Sequence, residues 1–318
     1  MRQAGRYMPE YRAVRSRHGF LELCKDPDAA AEVTVTAVER LGVDAAIIFA
    51  DILLILEPMG VGLEFSQGDG PVLHNPVRTP ADVEHLPDVD AAAEVGFVYE
   101  AVRKAHSALK VPLIGFSGAP FTLASYLIEG GGSRQYVHTK TLMYREPEAW
   151  HALMRRLATA VTGYLNAQIA AGVHAVQLFD SWVGSLAPDD YRRFVLPHTR
   201  NVIQNITAGI PVIHFGTGTA GLLELMREAG GTVIGLDWRV DLSSAWTRLG
   251  DGIAVQGNLD PVVLFAARDE IRAHAAHILA QAGGRRGHIF NLGHGILPHT
   301  PVENVIALVE TVHELSSR

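Results

Sequence analysis

The chain has 318 residues, 48% of them apolar and 19% charged, which places it among ordinary folded proteins rather than disordered ones and allows a sizeable buried core. A formal net charge of -7 argues against a general nucleic-acid binder, and the single cysteine, Cys24, excludes an intramolecular disulfide framework and any zinc site built on paired thiolates. The longest apolar run, Ala45 to Leu56, is broken by Asp51 and the N-terminal stretch is basic rather than apolar, so neither a membrane span nor an export signal is expected. The composition suits a reducing, cytoplasmic setting.

Charge is unevenly placed at the start of the chain. Between Met1 and Arg17 five arginines (Arg2, Arg6, Arg12, Arg15 and Arg17) face one acid, Glu10. Such a concentration reads either as a solvated basic face or as an anion site. In Arg2-Gln3-Ala4-Gly5-Arg6, two guanidinium forks flank a small, flexible pair whose backbone amides can approach a ligand, an arrangement suited to carboxylates or phosphates.

Asp26-Pro27 then gives a helix start, an N-cap acid followed by proline at the first helical position. Beyond it, short β-branched runs alternate with longer amphipathic segments, the pattern of βα units on a parallel sheet. Seven strand segments are predicted: 44–50, 111–116, 175–179, 211–215, 233–236, 253–256 and 288–291. Further helix starts lie at Pro188-Asp189 and Pro301, and the glycine run Gly130 to Gly132 reads as a mobile loop. No linker or low-complexity tract divides the chain, so residues 1–318 are expected to form one domain. Seven units point to an eight-stranded barrel with one strand unaccounted for, the competitor being an open doubly wound sheet. Polar or glycine-rich clusters close nearly every predicted strand (Asp51, Gly118, Asp180-Ser181, His214, Asp237, Asn258 and His294), which favours the barrel, since barrel active sites are assembled from strand C-termini.

Several of these residues admit two readings. Asp51 emerges from a buried run and is either an anion held for a cationic partner or a helix cap. Tyr126 follows a Gly-Ala-Pro turn and is either core or ligand contact; Asp180 and Ser181 are either caps or site residues. His294, flanked by glycines in Asn291-Leu-Gly-His-Gly-Ile296, has a backbone free to bend and project its imidazole.

Taken together, eight segments in order resemble the uroporphyrinogen decarboxylase family over essentially the whole chain: MRQAGRYMPEYR from Met1, DAAIIFADIL from Asp44, GFSGAPFTLASYLIEGG from Gly115, QLFDSW from Gln177, PVIHFG from Pro211, IGLDWR from Ile234, VQGNLDP from Val255 and NLGHGI from Asn291. The resemblance implies a (β/α)8 TIM barrel, a cytoplasmic homodimer, and cofactor-free, metal-free conversion of uroporphyrinogen III to coproporphyrinogen III in porphyrin and heme biosynthesis. It implies catalytic roles for Asp51 and Arg2. The implied substrate-binding set is Arg2, Gln3, Ala4, Gly5, Arg6, Arg15, Asp51, Tyr126, Ser181 and His294. Family members carry a segment with the first barrel strand ahead of the Met1 motif, so the resemblance also implies that the missing strand is this one and that the sheet has a gap exposing two edges.

Rival readings are a cobalamin-linked methyltransferase of related fold, which needs paired thiolates around zinc; a metal-dependent barrel hydrolase using His214, Asp237 and His294; and a non-catalytic binder of tetrapyrroles or polyanions. Asp51 separates the last, because a pure carboxylate binder has no use for an anion among its arginines.

Overall fold

A computed structural model describes residues 2–66 and 70–316. Among the described residues nine strands occur in chain order: β1 (Ala46–Ile47), β2 (Leu63–Ser66), β3 (Gly70–Leu73), β4 (Leu113–Gly118), β5 (Ala175–Asp180), β6 (Val212–Gly216), β7 (Val233–Gly235), β8 (Ala254–Gln256) and β9 (His288–Ile289). Seven of them form one parallel sheet in the order β1-β4-β5-β6-β7-β8-β9, so the main strands are spatial neighbours in chain order, joined through helical connections. These are the seven predicted segments, mostly trimmed at their ends. The sequence pattern did not single out the antiparallel hairpin β2–β3, whose second strand opens with Gly70-Pro71.

The sheet curls as a barrel does. Gly118, Phe179, Phe215, Gly235, Gln256 and Ile289 are in register on successive strands and so share one face. Small residues in this layer make room for the large ones beside them: a Cβ on Gly235 would meet Phe215 at 2.9 Å. β1 and β9 are the two edges of the sheet, and Ile47 and Ile289 line a single cavity of about 820 Å3 together with Ile114, Gln177 and Gln256. The gap expected from the strand count is therefore a seam between β1 and β9. The side-chain nitrogens of Gln177 and Gln256 are buried there without a hydrogen-bond partner among the described residues.

The outer layer follows from sequence period. Helix Pro147–Ala171 places Trp150, Leu153, Leu157, Val161, Tyr164 and Gln168 on one buried face at three- to four-residue spacing. It ends at Gly172, whose φ of 119° is open to glycine and strained for other residues. Two of its buried polar side chains are matched: Trp150 Nε1 donates to Phe194 O at 3.0 Å, while Gln168 accepts from Phe116 N at 3.0 Å and donates to Phe116 O at 2.9 Å. That last pair ties the helix to β4, the strand leading to Gly118 and the turn before Tyr126.

The Asp26-Pro27 start is realised, with Asp26 Oδ1 accepting from the amides of Asp28 and Ala29 at 2.9 and 3.1 Å. The glycine run is not a free loop. Gly130 caps helix Pro120–Glu129 at φ 79° and its carbonyl accepts from Leu73 N at 3.0 Å, while Gly131 bridges to Val72. The run joins the hairpin to the barrel, which is why glycine is needed there. No described helix is long and apolar enough to cross a membrane.

Candidate active site

The strand C-termini converge on a mouth, and the order in which they do so places the site. Asp51 follows β1 by four residues and is partly buried. Its Oδ1 accepts from Leu53 N at 2.9 Å, a local turn contact and not the cap of the helix that follows, while Oδ2 takes no hydrogen bond among the described residues. Burial pushes its carboxyl above the ordinary range, with the Leu53 amide and the nearby Arg2 guanidinium pulling the other way. Arg2 is exposed and, among the described residues, forms no ion pair. The mouth therefore keeps a carboxylate oxygen and a guanidinium in electrostatic reach of each other, both with bonding capacity to spare.

Tyr126 lies in the same field. Burial raises its hydroxyl well above the usual range, helped by the Asp51 carboxylate and opposed by Arg2. Its ring packs on Trp182 at 3.9 Å between centroids, and Trp182 also meets Tyr136 at 5.2 Å. The tryptophan next to Ser181 is thus the wall against which Tyr126 is set, a contact that no sequence spacing announced. Ser181 is partly buried, and its carbonyl accepts the Thr217 hydroxyl, linking the ends of β5 and β6. Gly184 fits here because a Cβ would lie 2.1 Å from Thr217 O.

His294 is exposed at the rim, yet desolvation together with Arg2 and Arg239 holds its imidazole below the ordinary range. Near neutral pH it is uncharged. In that form the imidazole offers an N–H donor. A Cβ on Gly295 would lie 3.9 Å from Arg2 Cβ, which brings the His294 loop against the N-terminal motif.

The rest of that motif does other work. Gln3 is spent on the open edge of β1, its Nε2 donating to Ala45 O at 2.7 Å and its Oε1 accepting from Ile47 N at 2.9 Å. Both polar atoms of this side chain are engaged by the edge of β1. Ala4 and Gly5 are buried, and Arg6 is exposed with its carbonyl accepting from Arg12 Nη1 at 2.9 Å. Arg15 donates to the His18 carbonyl and lies over the Phe20 ring at 5.8 Å. The structure thus gathers Arg2, Asp51, Tyr126 and His294, adjoins Ser181 through Trp182, and engages Gln3 and Arg15 elsewhere. His214 is fully buried, pushed down to about 4 by desolvation, and sits beside Met226 of helix Leu223–Ala229 rather than with Asp237 and His294.

A parallel barrel with its polar groups gathered at the strand C-termini defines an α/β-barrel enzyme. Comparison with known proteins narrows this. The family model described as "Uroporphyrinogen decarboxylase (URO-D)" matches residues 1–315. Uroporphyrinogen decarboxylase of Carboxydothermus hydrogenoformans is 57% identical over 320 residues, covering 100% of this chain and 91% of the relative, and that of Koribacter versatilis is 56% identical, covering 100% and 92%. The chain belongs to the uroporphyrinogen decarboxylase family and is a carboxy-lyase. Among solved structures, a methyltransferase from Methanosarcina mazei superposes with a TM-score of 0.81 at 21% identity, covering 96% of this chain and 91% of that one, a likeness of fold alone.

Proposed function

We propose that the mouth removes the four acetate carboxylates of uroporphyrinogen III in succession, with Asp51 as the catalytic anion and Arg2, Tyr126, Ser181 and His294 as binding partners. The observation that carries this reading is a carboxylate with one unbonded oxygen, Asp51, set beside Arg2 and Tyr126 in a chain of this family. A substrate with eight carboxylates and four pyrrole N–H groups needs donors at its rim and an acceptor at its centre. Arg2 and the His294 N–H supply the first; Asp51 Oδ2 supplies the second.

Each cycle needs an electron sink. Protonation at the ring carbon next to the acetate-bearing carbon makes a pyrrole cation. The bond between the acetate methylene and its carboxylate then breaks, CO2 leaves, and the electron pair forms an exocyclic double bond that neutralises the ring. A proton added to that methylene gives the methyl group, and loss of the ring proton restores the pyrrole, so each CO2 is replaced by one proton. Asp51 stabilises the cation: at about 4 Å and an effective dielectric near 20 the attraction is roughly 4 kcal/mol, about three decades in rate. Arg2, or a water it orients, is the proposed ring-proton donor. A guanidinium is a weak acid, so the transfer must be short-lived, whereas a neutral His294 would first have to be protonated. The family resemblance further supports a homodimer, which sedimentation velocity tests. The function is tested by anaerobic incubation with uroporphyrinogen III beside Asp51→Asn: coproporphyrin should accumulate with the native chain and fall at least a hundredfold with the variant.

A further inference from the structure

After β7 the chain runs through Asp237-Trp238-Arg239-Val240, a turn fixed at several points by bonds the reaction does not require. Asn258 Nδ2 donates to the carbonyls of Asp237 at 2.8 Å and Val240 at 2.7 Å, holding both ends. The Asp237 carboxylate, 1% exposed, accepts from Gly218 N at 2.6 Å, Arg239 N at 3.1 Å and Arg239 Nη1 at 2.6 Å. The guanidinium also lies over the Trp238 ring at 3.8 Å. A cation that is merely solvated needs neither contact.

This fixed guanidinium stands at the mouth. Trp238 meets the His294 ring edge-on at 6.1 Å, and a Cβ on Gly293 would fall 2.4 Å from Trp238 N, so the His294 loop and the Arg239 turn are packed backbone against backbone. Arg239 Nη1 gives one hydrogen to Asp237; the rest of its five N–H groups have no acceptor among the described residues, and half of the side chain is open. Asp237 offsets much of the charge, so what the turn presents is an oriented planar donor array suited to a carboxylate.

We propose that Arg239 is a further substrate-contact residue, receiving one peripheral carboxylate of the polyanionic substrate beside His294. The inference rests on the proposed function and extends its binding set to a side chain outside the Arg2 motif. The test uses the full chain and uroporphyrinogen III under anaerobic conditions, with Arg239→Gln and Arg239→Lys. Arg239→Gln should raise KM about tenfold, the order expected for losing one charge-assisted contact, with kcat within about twofold. Arg239→Lys, which keeps charge but not the planar fork, should recover only part of the loss. An unchanged KM in Arg239→Gln overturns the proposal and leaves the decarboxylase reading intact. Should Arg239→Gln fail to fold, Arg239→Lys decides alone, a raised KM supporting the contact and an unchanged one overturning it. If the native chain neither decarboxylates uroporphyrinogen nor binds uroporphyrin by fluorescence titration, the functional reading falls and the contact with it.

Discussion

Asp180 is wholly buried behind the mouth, facing Thr122 of helix Pro120–Glu129. Its Oδ1 accepts the Thr122 hydroxyl at 3.0 Å, but its Oδ2 is buried without a partner among the described residues. Desolvation outweighs that bond and pushes the carboxyl from 3.8 up to about 7. Because the folded state holds this proton more tightly than the unfolded one, Asp180 contributes stability that is fully present below the unfolded pKa and is lost as pH rises to the folded one. A shift of about three units corresponds to roughly 4 kcal/mol, accumulating between about pH 4 and pH 7 with a limiting slope near 1.4 kcal/mol per unit. Asp180→Asn keeps the shape, removes the ionisation and can still accept from Thr122. Urea unfolding of both proteins from pH 4.5 to 8.5 isolates the effect, because other titrating groups cancel in the difference. The variant should gain on the native protein by several kcal/mol across that range and level off above pH 8. A difference flat to within about 0.5 kcal/mol would refute the reasoning, showing that Oδ2 finds a partner or that the unfolded state shares the shift.

Asp51 carries the opposite consequence for activity. Its raised carboxyl must be ionised to act, so the acid limb of kcat/KM should sit above the ordinary carboxylate range and be absent from the residual activity of Asp51→Asn. Gly293→Ala puts a methyl 2.4 Å from Trp238 N, and the forced loop shift should lower stability by about 1–3 kcal/mol and raise KM, read by thermal melts and steady-state kinetics. Cys24 is 2% exposed and its thiol is pushed up by burial, so a thiol reagent at pH 8 should leave the native chain nearly unmodified and take one equivalent in denaturant.

The seven main strands were legible because each is a β-branched run closed by glycine or a polar cluster, a pattern that local sterics and burial both enforce. The hairpin was not, since glycine and proline within so short a segment erase the alternation a strand is read from. Asp51 and His294 stood out by position alone: an acid interrupting an apolar run, and an imidazole between two glycines. Gln3 illustrates the limit of motif reading. It lies inside the cationic motif, yet its amide belongs to the edge of β1, because an unpaired strand edge is a stronger claim on a nearby amide than a ligand is. Trp182 and Arg239 were hidden for a different reason. Trp182 meets Tyr126 from the end of another strand, and the turn that carries Arg239 is held by Gly218 and Asn258, contacts distant in sequence that no local period encodes.

How the mouth keeps a carboxylate and a guanidinium apart follows from these attachments. Left free, Arg2 and Asp51 would close into an ion pair and the site would neutralise itself. The Leu53 amide holds one oxygen of Asp51 in a local turn, while two bonds from Gln3, the residue after Arg2, hold the backbone of the motif along β1. Each group is anchored by its own strand end. In the proposed reaction the remaining oxygen and the guanidinium meet through the substrate, which carries both N–H donors and carboxylates. Releasing the anchor at Gln3, as in Gln3→Ala, should therefore reduce kcat without touching substrate, because Arg2 would be free to collapse onto Asp51. A kcat unchanged in Gln3→Ala, in a protein shown to be folded by its melting profile, would mean that something other than the β1 edge keeps the two charges apart.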